Sequence, residues 1–148
     1  MSRVYPELPV CAVGAMIFKE RKILLVKRGH PPAYGLWSIP GGVVQLGERL
    51  EAAVVREAYE ETGLTVRPLR IGKVVERIFP DAQSRIEFHY VIVDYVCEII
   101  AGTMQAGSDA LAVDLVSIDF LDRLDLTEGT AEAIREVFWD FRSWSSDV

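Results

Sequence analysis

The chain is poor in cysteine, with two in 148 residues, Cys11 and Cys97, each inside an apolar run. A small secreted domain stapled by disulfides needs more than that, so two buried free thiols in a reducing cytoplasm are expected. No apolar run approaches the roughly 20 residues that a membrane-spanning helix requires. The longest are VCAVGAMIF (10–18) and YVIVDYV (90–96). The first follows Glu7 and lacks the basic start and small-residue cleavage site of a signal peptide, so it reads as a strand. There is no internal repeat, no low-complexity tract and no Pro/Gly/Ser-rich linker. Positive charge is in deficit as well: 16 Lys and Arg against 22 Asp and Glu leave a net charge of −6. An acidic surface argues against nucleic-acid duplexes and anionic membranes as partners. A small phosphorylated substrate stays open, because a bound metal ion can invert the local field.

What is present is the composition of a globular protein, 50% hydrophobic and 26% charged, which excludes a disordered chain. The length suits one domain, residues 1–148, with a core over about 9–143. Residues 9–19 and 22–28 are apolar segments separated by Lys19, Glu20 and Arg21, a hairpin pattern. Residues 30–42 are punctuated by Pro31, Pro32, Gly35, Pro40, Gly41 and Gly42 and read mostly as loop. From Glu48 to Thr62 there is no Gly or Pro, and Gly63 stands where a helix would be capped. Two β-prone runs, about 65–80 and 84–99, flank a turn at Pro80–Gln83, with Ile86, Phe88, Tyr90 and Ile92 alternating onto one face. A further strand fits 111–118. Beyond Thr127, a candidate cap, Ile134, Val137, Phe138 and Phe141 follow helical spacing. The pattern predicts an α/β fold, a mixed sheet with helices on both faces.

The first helix carries the chemistry. Glu57, Glu60 and Glu61 are spaced i, i+3, i+4 and fall within about a 100° arc, since each residue turns the helix by ~100°. Val54, Val55, Ala58 and Tyr59 are left to pack against the sheet. Three carboxylates on one narrow face repel one another, and a divalent cation between them would relieve that. Hard oxygen donors select Mg²⁺ or Mn²⁺, which commonly share their shell with water and phosphate oxygens. Taken alone, such a helix reads as a solvated acidic face. The preceding Gly41–Gly42 shifts the balance, because a backbone without side chains can approach a phosphate or a metal closely.

The segment GVVQLGERLEAAVVREAYEETGL (42–64) resembles the signature of the Nudix hydrolases, G-x5-E-x7-R-E-U-x-E-E-x-G-U with U apolar. Gly42, Glu48, Arg56, Glu57, Glu60, Glu61 and Gly63 fill the fixed positions, and Ala58 and Leu64 the apolar ones. At roughly 6–7% usage per residue type, such a coincidence is expected on the order of once in a million chains. GLWSIPGG (35–42) is similar to the usual lead-in, and residues 106–130 resemble the C-terminal part of the ADP-ribose pyrophosphatase and MutT-like members.

That resemblance implies an α/β/α sandwich around a mixed β-sheet. It implies hydrolysis of a nucleoside diphosphate linked to another moiety, with Mg²⁺ as cofactor and Mn²⁺ as a possible substitute. Carried over by position, Glu57, Glu60 and Glu61 are metal ligands, joined by the Gly41 carbonyl, with Glu48 at or near the metals. Arg56 orients Glu48 and the loop. The catalytic set is Glu57, Glu60, Arg56 and Asp109. ADP-ribose-type relatives carry a Glu where this chain has Ala112, which leaves three readings: Asp109 or Asp114 replaces it, the helix carboxylates suffice to take the proton from water, or activity on that substrate is weak. Arg28, Trp37, Gly42 and Arg85 are the substrate-binding candidates, with Tyr34 and Phe79 as further stacking surfaces. His89 reads as a strand residue, and His30, in a loop, has no assigned role.

Three functions compete at this level: hydrolysis of ADP-ribose or a related nucleoside diphosphate sugar, a MutT-like nucleoside triphosphate pyrophosphohydrolase, and a nucleotide sensor without turnover. The intact carboxylate set disfavours the sensor. The expected partner is a small nucleotide, with no nucleic-acid duplex and no membrane. A homodimer through the second hairpin is the oligomer that similar proteins suggest.

Overall fold

The structure, a computed structural model, describes residues 2–145, with side chains through Phe141. Seven strands and two α-helices follow in the order β1 (Val10–Lys19), β2 (Lys22–Arg28), β3 (Trp37–Ser38), β4 (Gly41–Val43), α1 (Leu50–Thr62), β5 (Leu64–Pro80), β6 (Ile86–Gly102), β7 (Ala110–Ser117) and α2 (Thr130–Ser145). A 3₁₀ turn over Ile118–Arg123 precedes α2. The mixed sheet runs β3-β2-β1-β6-β5, with β4 added to β1 and β7 to β2. This is the mixed α/β sandwich that the sequence predicts.

β1 organises it. Its residues 10–17 pair in parallel with Tyr90–Cys97 of β6, and Ala12–Gly14 pair antiparallel with Gly41–Val43 of β4. Only its last two residues, Phe18 and Lys19, pair with β2. The expected β1–β2 hairpin is therefore short, and β2 peels away to pair along β7. Such a sheet has two covered faces, and its strands read as continuous apolar runs because alternate residues go to opposite cores. Val13, Ala15, Ile17, Leu24, Val26, Tyr95 and Cys97 pack with Ala53, Val54 and Ala58 of α1. Met16, Ile23, Leu25 and Val96 pack on the other face with Ile134, Val137 and Phe138 of α2.

Several details differ from the sequence expectation. The segment 30–42 is loop except for the short strands β3 and β4, which exist only because the neighbouring strands offer backbone partners. Cys97 is buried, and burial pushes its thiol up to about 12. Cys11 is exposed, because the covered part of its face of the sheet begins at Val13. Thr127 sits in the turn before α2, where its carbonyl accepts from the Thr130 amide at 3.2 Å; the helix starts three residues later. No helix among the described residues is long and apolar enough to cross a membrane.

The turn from α1 into β5 depends on Gly63. It adopts φ 74°, and its N–H donates to the Tyr59 carbonyl at 2.9 Å. A Cβ there would collide with the Thr103 carbonyl oxygen. Gly63→Ala is expected to lower unfolding free energy by about 1–3 kcal/mol, read from the urea midpoint at constant slope. An unchanged midpoint would remove this cap from the account.

Candidate active site

α1 presents its carboxylates beside its packing stripe. Ala53, Val54, Ala58 and Thr62 are the buried positions, and Tyr59, expected in the core, is 60% exposed. The reason is helical phase. Glu57 precedes Ala58 and Glu61 precedes Thr62, so both glutamates border the buried stripe, whereas Tyr59 and Glu60 turn outward. Thr62 replaces the expected aromatic, its hydroxyl donating to the Ala58 carbonyl at 2.6 Å.

The glycines make room for these acids. A Cβ on Gly42 would collide with the Glu57 carboxyl, so Glu57 occupies the space that any other residue on β4 would claim. A Cβ on Gly41 would collide with the Val13 carbonyl oxygen, and the Gly41 amide donates to Glu61 Oε2 at 3.3 Å. Gly42 is thus a geometric requirement for Glu57.

Arg56 ties the loop to the helix. Its Nε and Nη2 donate to the two carboxylate oxygens of Glu48 at 2.7 and 2.9 Å. Nη2 also donates to the Val43 carbonyl at 3.1 Å, and Nη1 to Glu57 at 2.7 Å and Glu60 at 3.4 Å. These bonds, with one from the Gln45 amide, hold the Glu48 carboxyl down at about 2. The Arg56 guanidinium is correspondingly raised, chiefly by Glu48.

Glu61 is the opposite case. Burial, then the neighbouring Glu57 charge, raises its carboxyl to about 8, against the pull of the Gly41 amide and the Arg28 guanidinium. Asp109 adds to the repulsion. Arg28, itself lowered by burial and raised by Glu61 and Tyr90, donates from Nε to the Pro32 carbonyl at 2.7 Å. Arg28, His30, Ile39, Gly41, Glu61 and Asp109 line one narrow cleft.

The sequence candidates therefore separate. Gly41, Gly42, Glu48, Arg56, Glu57, Glu60 and Glu61 come together, and Arg28 and Asp109 join them. Asp114 is exposed on β7 opposite Leu25, away from the cleft, which leaves Asp109 as the later-loop acid at the site. Trp37 lies to one side, packed in the α2 core and bridged to Leu126. Arg85 is remote: its Nε donates to Asp81 at 3.0 Å, and its guanidinium lies over the Tyr5 ring. At ~3.3 Å per strand residue it sits about 30 Å along β6 from the level of Gly14 and Gly41. His30, given no role from sequence, lines the cleft because the loop folds back toward β7; nothing local in the sequence signals that.

The donor set suits a hard divalent cation: carboxylate oxygens, a glycine carbonyl able to approach, and a glutamate whose charge is resisted by its surroundings. The set is not closed around a point. Among the described residues no three of His, Cys, Asp or Glu converge at metal-binding separations, and Arg56 is the cation that bridges Glu48, Glu57 and Glu60.

A family model described as the NUDIX domain matches residues 9–137. The chain is 37% identical over 116 residues to an ADP-ribose pyrophosphatase of Methanocaldococcus jannaschii. That match covers 78% of this chain and 66% of the relative, so the chain spans a little under two thirds of that curated relative. A solved MutT NUDIX hydrolase from Burkholderia pseudomallei superposes with a TM-score of 0.78 at 32% identity, covering 88% of this chain and 99% of that one. A solved ADP-ribose pyrophosphatase from Streptococcus suis gives 0.71 at 30% identity, covering 91% and 93%.

The raised Glu61 carboxyl has a consequence for stability. Its ordinary value is 4.5 and its folded value about 8, so between those limits the folded protein holds a proton that the unfolded chain has lost. Stability contributed this way is present at low pH and is lost as pH rises toward 8. In chelator-treated protein, Glu61→Gln should raise the urea midpoint at pH 8 and lose that advantage by pH 5. Equal midpoints for variant and wild type at pH 8 would show that Glu61 is not strained in the fold.

Proposed function

The chain belongs to the Nudix family, and from that premise we propose that it is a Mg²⁺-dependent pyrophosphohydrolase acting on nucleoside diphosphate derivatives, with ADP-ribose favoured. The observation that carries this is the cradle in which Gly41 and Gly42 admit Glu57 and Glu61 while Arg56 clamps Glu48 to the same loop. The family uses divalent metal ions. Here Glu57, Glu61 and the Gly41 carbonyl would hold one, with Glu60 and Glu48 as further donors. A cation bound there neutralises pyrophosphate charge, polarises the phosphorus and acidifies the attacking water.

The chain's own residues supply the rest. Arg28 lines the cleft wall beside Glu61, which supports a role in binding a phosphate oxygen. Arg56 keeps Glu48 ionised and fixes where Glu57 points, so it is a positioning residue. The proton of the water has two candidate acceptors: Glu57 on the helix, and Asp109 across the cleft from Glu61. A carboxylate in either place acts as general base if it lies within hydrogen-bond reach of that water.

The first substrate reading draws on the ADP-ribose pyrophosphatase relatives, which match most of this chain. The second, a nucleoside triphosphate pyrophosphohydrolase, draws on the MutT likeness, which covers nearly the whole of its solved counterpart. Their products differ. ADP-ribose with Mg²⁺ should yield AMP and ribose 5-phosphate by chromatography; a triphosphate would yield a monophosphate and pyrophosphate. Glu57→Gln, Glu60→Gln and Glu61→Gln are each expected to lower kcat by about 10²-fold or more while the protein stays folded. Gly42→Ala should match Glu57→Gln, because its methyl displaces that carboxyl. Full Mg²⁺-dependent turnover in Glu60→Gln and Glu61→Gln together would refute the ligand set.

As to assembly, β5 is an edge strand, and Ile71, Val74 and Ile78 stand exposed along it. Two copies joined along this hairpin are the oligomer these residues support. Light scattering should give twice the monomer mass, and Val74→Lys should return it to monomer.

A further inference from the structure

Asp94 is a carboxyl buried within a strand of the sheet. It interrupts the apolar run of β6, is 3% exposed, and its Oδ1 has no hydrogen-bond partner among the described residues. Burial raises its carboxyl to about 7 against the pull of Arg77 and Lys73. Neither cation closes on it. Arg77 Nη1 donates to the Glu76 carbonyl, and its guanidinium lies against Gly129 at the start of α2. Lys73 is engaged with Glu136 of α2 at 2.5 Å. An uncompensated buried carboxyl is unfavourable, and an apolar residue of similar volume would suit this strand better unless the carboxyl is used.

Its position connects it to the site. Asp94 is the register partner of Gly14 on β1, and Gly14 is the partner of Gly41 on β4. The carboxyl leans over the Gly14 backbone, where a Cβ would collide with it and also approach Ile39 Cδ1 to 2.7 Å. Ile39 is a wall of the cleft that holds Glu61 and Arg28. Two strand spacings of ~4.8 Å put Asp94 within about 10 Å of Gly41, the reach of one nucleoside from its phosphate. Tyr90 and Ile92 precede Asp94 on the same side of β6, and Arg28 senses both Tyr90 and Glu61. The strip Tyr90–Ile92–Asp94, half-buried at its first two residues and buried at Asp94, thus leads away from the carboxylate cluster across the sheet.

We propose that Asp94 is a specificity-determining residue whose buried carboxylate accepts a hydrogen bond from an N–H or O–H donor on the nucleoside half of the substrate. This rests on the pyrophosphohydrolase reading above. A nucleoside offers two such donors, the amino group of its base and the hydroxyls of its ribose. A site built around a buried acceptor rejects an analogue lacking the donor, because the acceptor is then left unpaired.

The test uses the full chain with Mg²⁺ and three probes in calorimetry: AMP, purine riboside 5′-monophosphate (AMP without its amino group) and 2′,3′-dideoxy-AMP. In the wild type one analogue should bind about tenfold more weakly than AMP or worse, and in Asp94→Val that analogue should bind as AMP does. Weak binding of the purine riboside assigns the donor to the base; weak binding of the dideoxy compound assigns it to the ribose. With ADP-ribose, Asp94→Val and Asp94→Asn should raise KM more than they lower kcat, and the thermal midpoint of free Asp94→Val should hold or rise. Asp94→Val binding all three probes as the wild type does would overturn the proposal, and so would wild type failing to bind AMP. A wild type that binds AMP yet leaves ADP-ribose intact contradicts the substrate reading alone, and the three-probe comparison still decides Asp94.

Discussion

The Arg56 guanidinium is the contact on which the site's arrangement depends. One planar fork spans Glu48 in the loop, the Val43 carbonyl on β4, and Glu57 and Glu60 on α1. A lysine has the charge but not the geometry, since its point-like ammonium cannot meet both oxygens of a carboxylate while also reaching a carbonyl and a second acid. Arg56 therefore acts as a bracket: it fixes how far the loop stands from the helix, and that distance places Gly41 and Gly42 over Glu61 and Glu57.

The sheet supplies the other half of the constraint. β4 is three residues long and persists because β1 pairs with it residue for residue from Ala12 to Gly14. Gly14, Gly41 and Gly42 together form a patch of backbone without side chains, and each Cβ they lack is replaced by something specific. The Asp94 carboxyl lies over Gly14, the Val13 carbonyl abuts Gly41, and the Glu57 carboxyl fills the space at Gly42. Strand pairing thus brings two acids, the half-buried Glu57 on a helix and the buried Asp94 on a strand, to neighbouring glycines from different parts of the chain.

Charge is partitioned across the site by hydrogen bonding at one carboxyl and burial at others. Glu48 lies within the grip of Arg56 and ionises readily, whereas Glu61, four residues past Glu57 on the buried border of the helix, ionises against resistance. Asp94 resists likewise where it is buried within the sheet. The resistance is local and comes from burial, so the protein as a whole can carry its acidic surface without strain while a few carboxyls remain avid for a cation or a donor.

Much of this was legible before any coordinates. The spacing of Gly42, Glu48, Arg56, Glu57, Glu60, Glu61 and Gly63 is a local property of one loop and one helix, and helical periodicity alone brings those acids to one side. Long apolar runs announced a sheet covered on both faces. Other features depend on partners distant in sequence. Helical phase relative to the sheet put Tyr59 outside and Thr62 inside. Chain reversal brought His30 and Asp109 to one cleft and left Asp114, Trp37 and Arg85 elsewhere. Asp94 lies within an apolar run, but that no described residue hydrogen-bonds its Oδ1 depends on three neighbouring strands. The amino-acid order determined which chemical groups exist and which share a helical turn; only tertiary packing decided which of them lose water, because desolvation is set by what the rest of the chain lays on top.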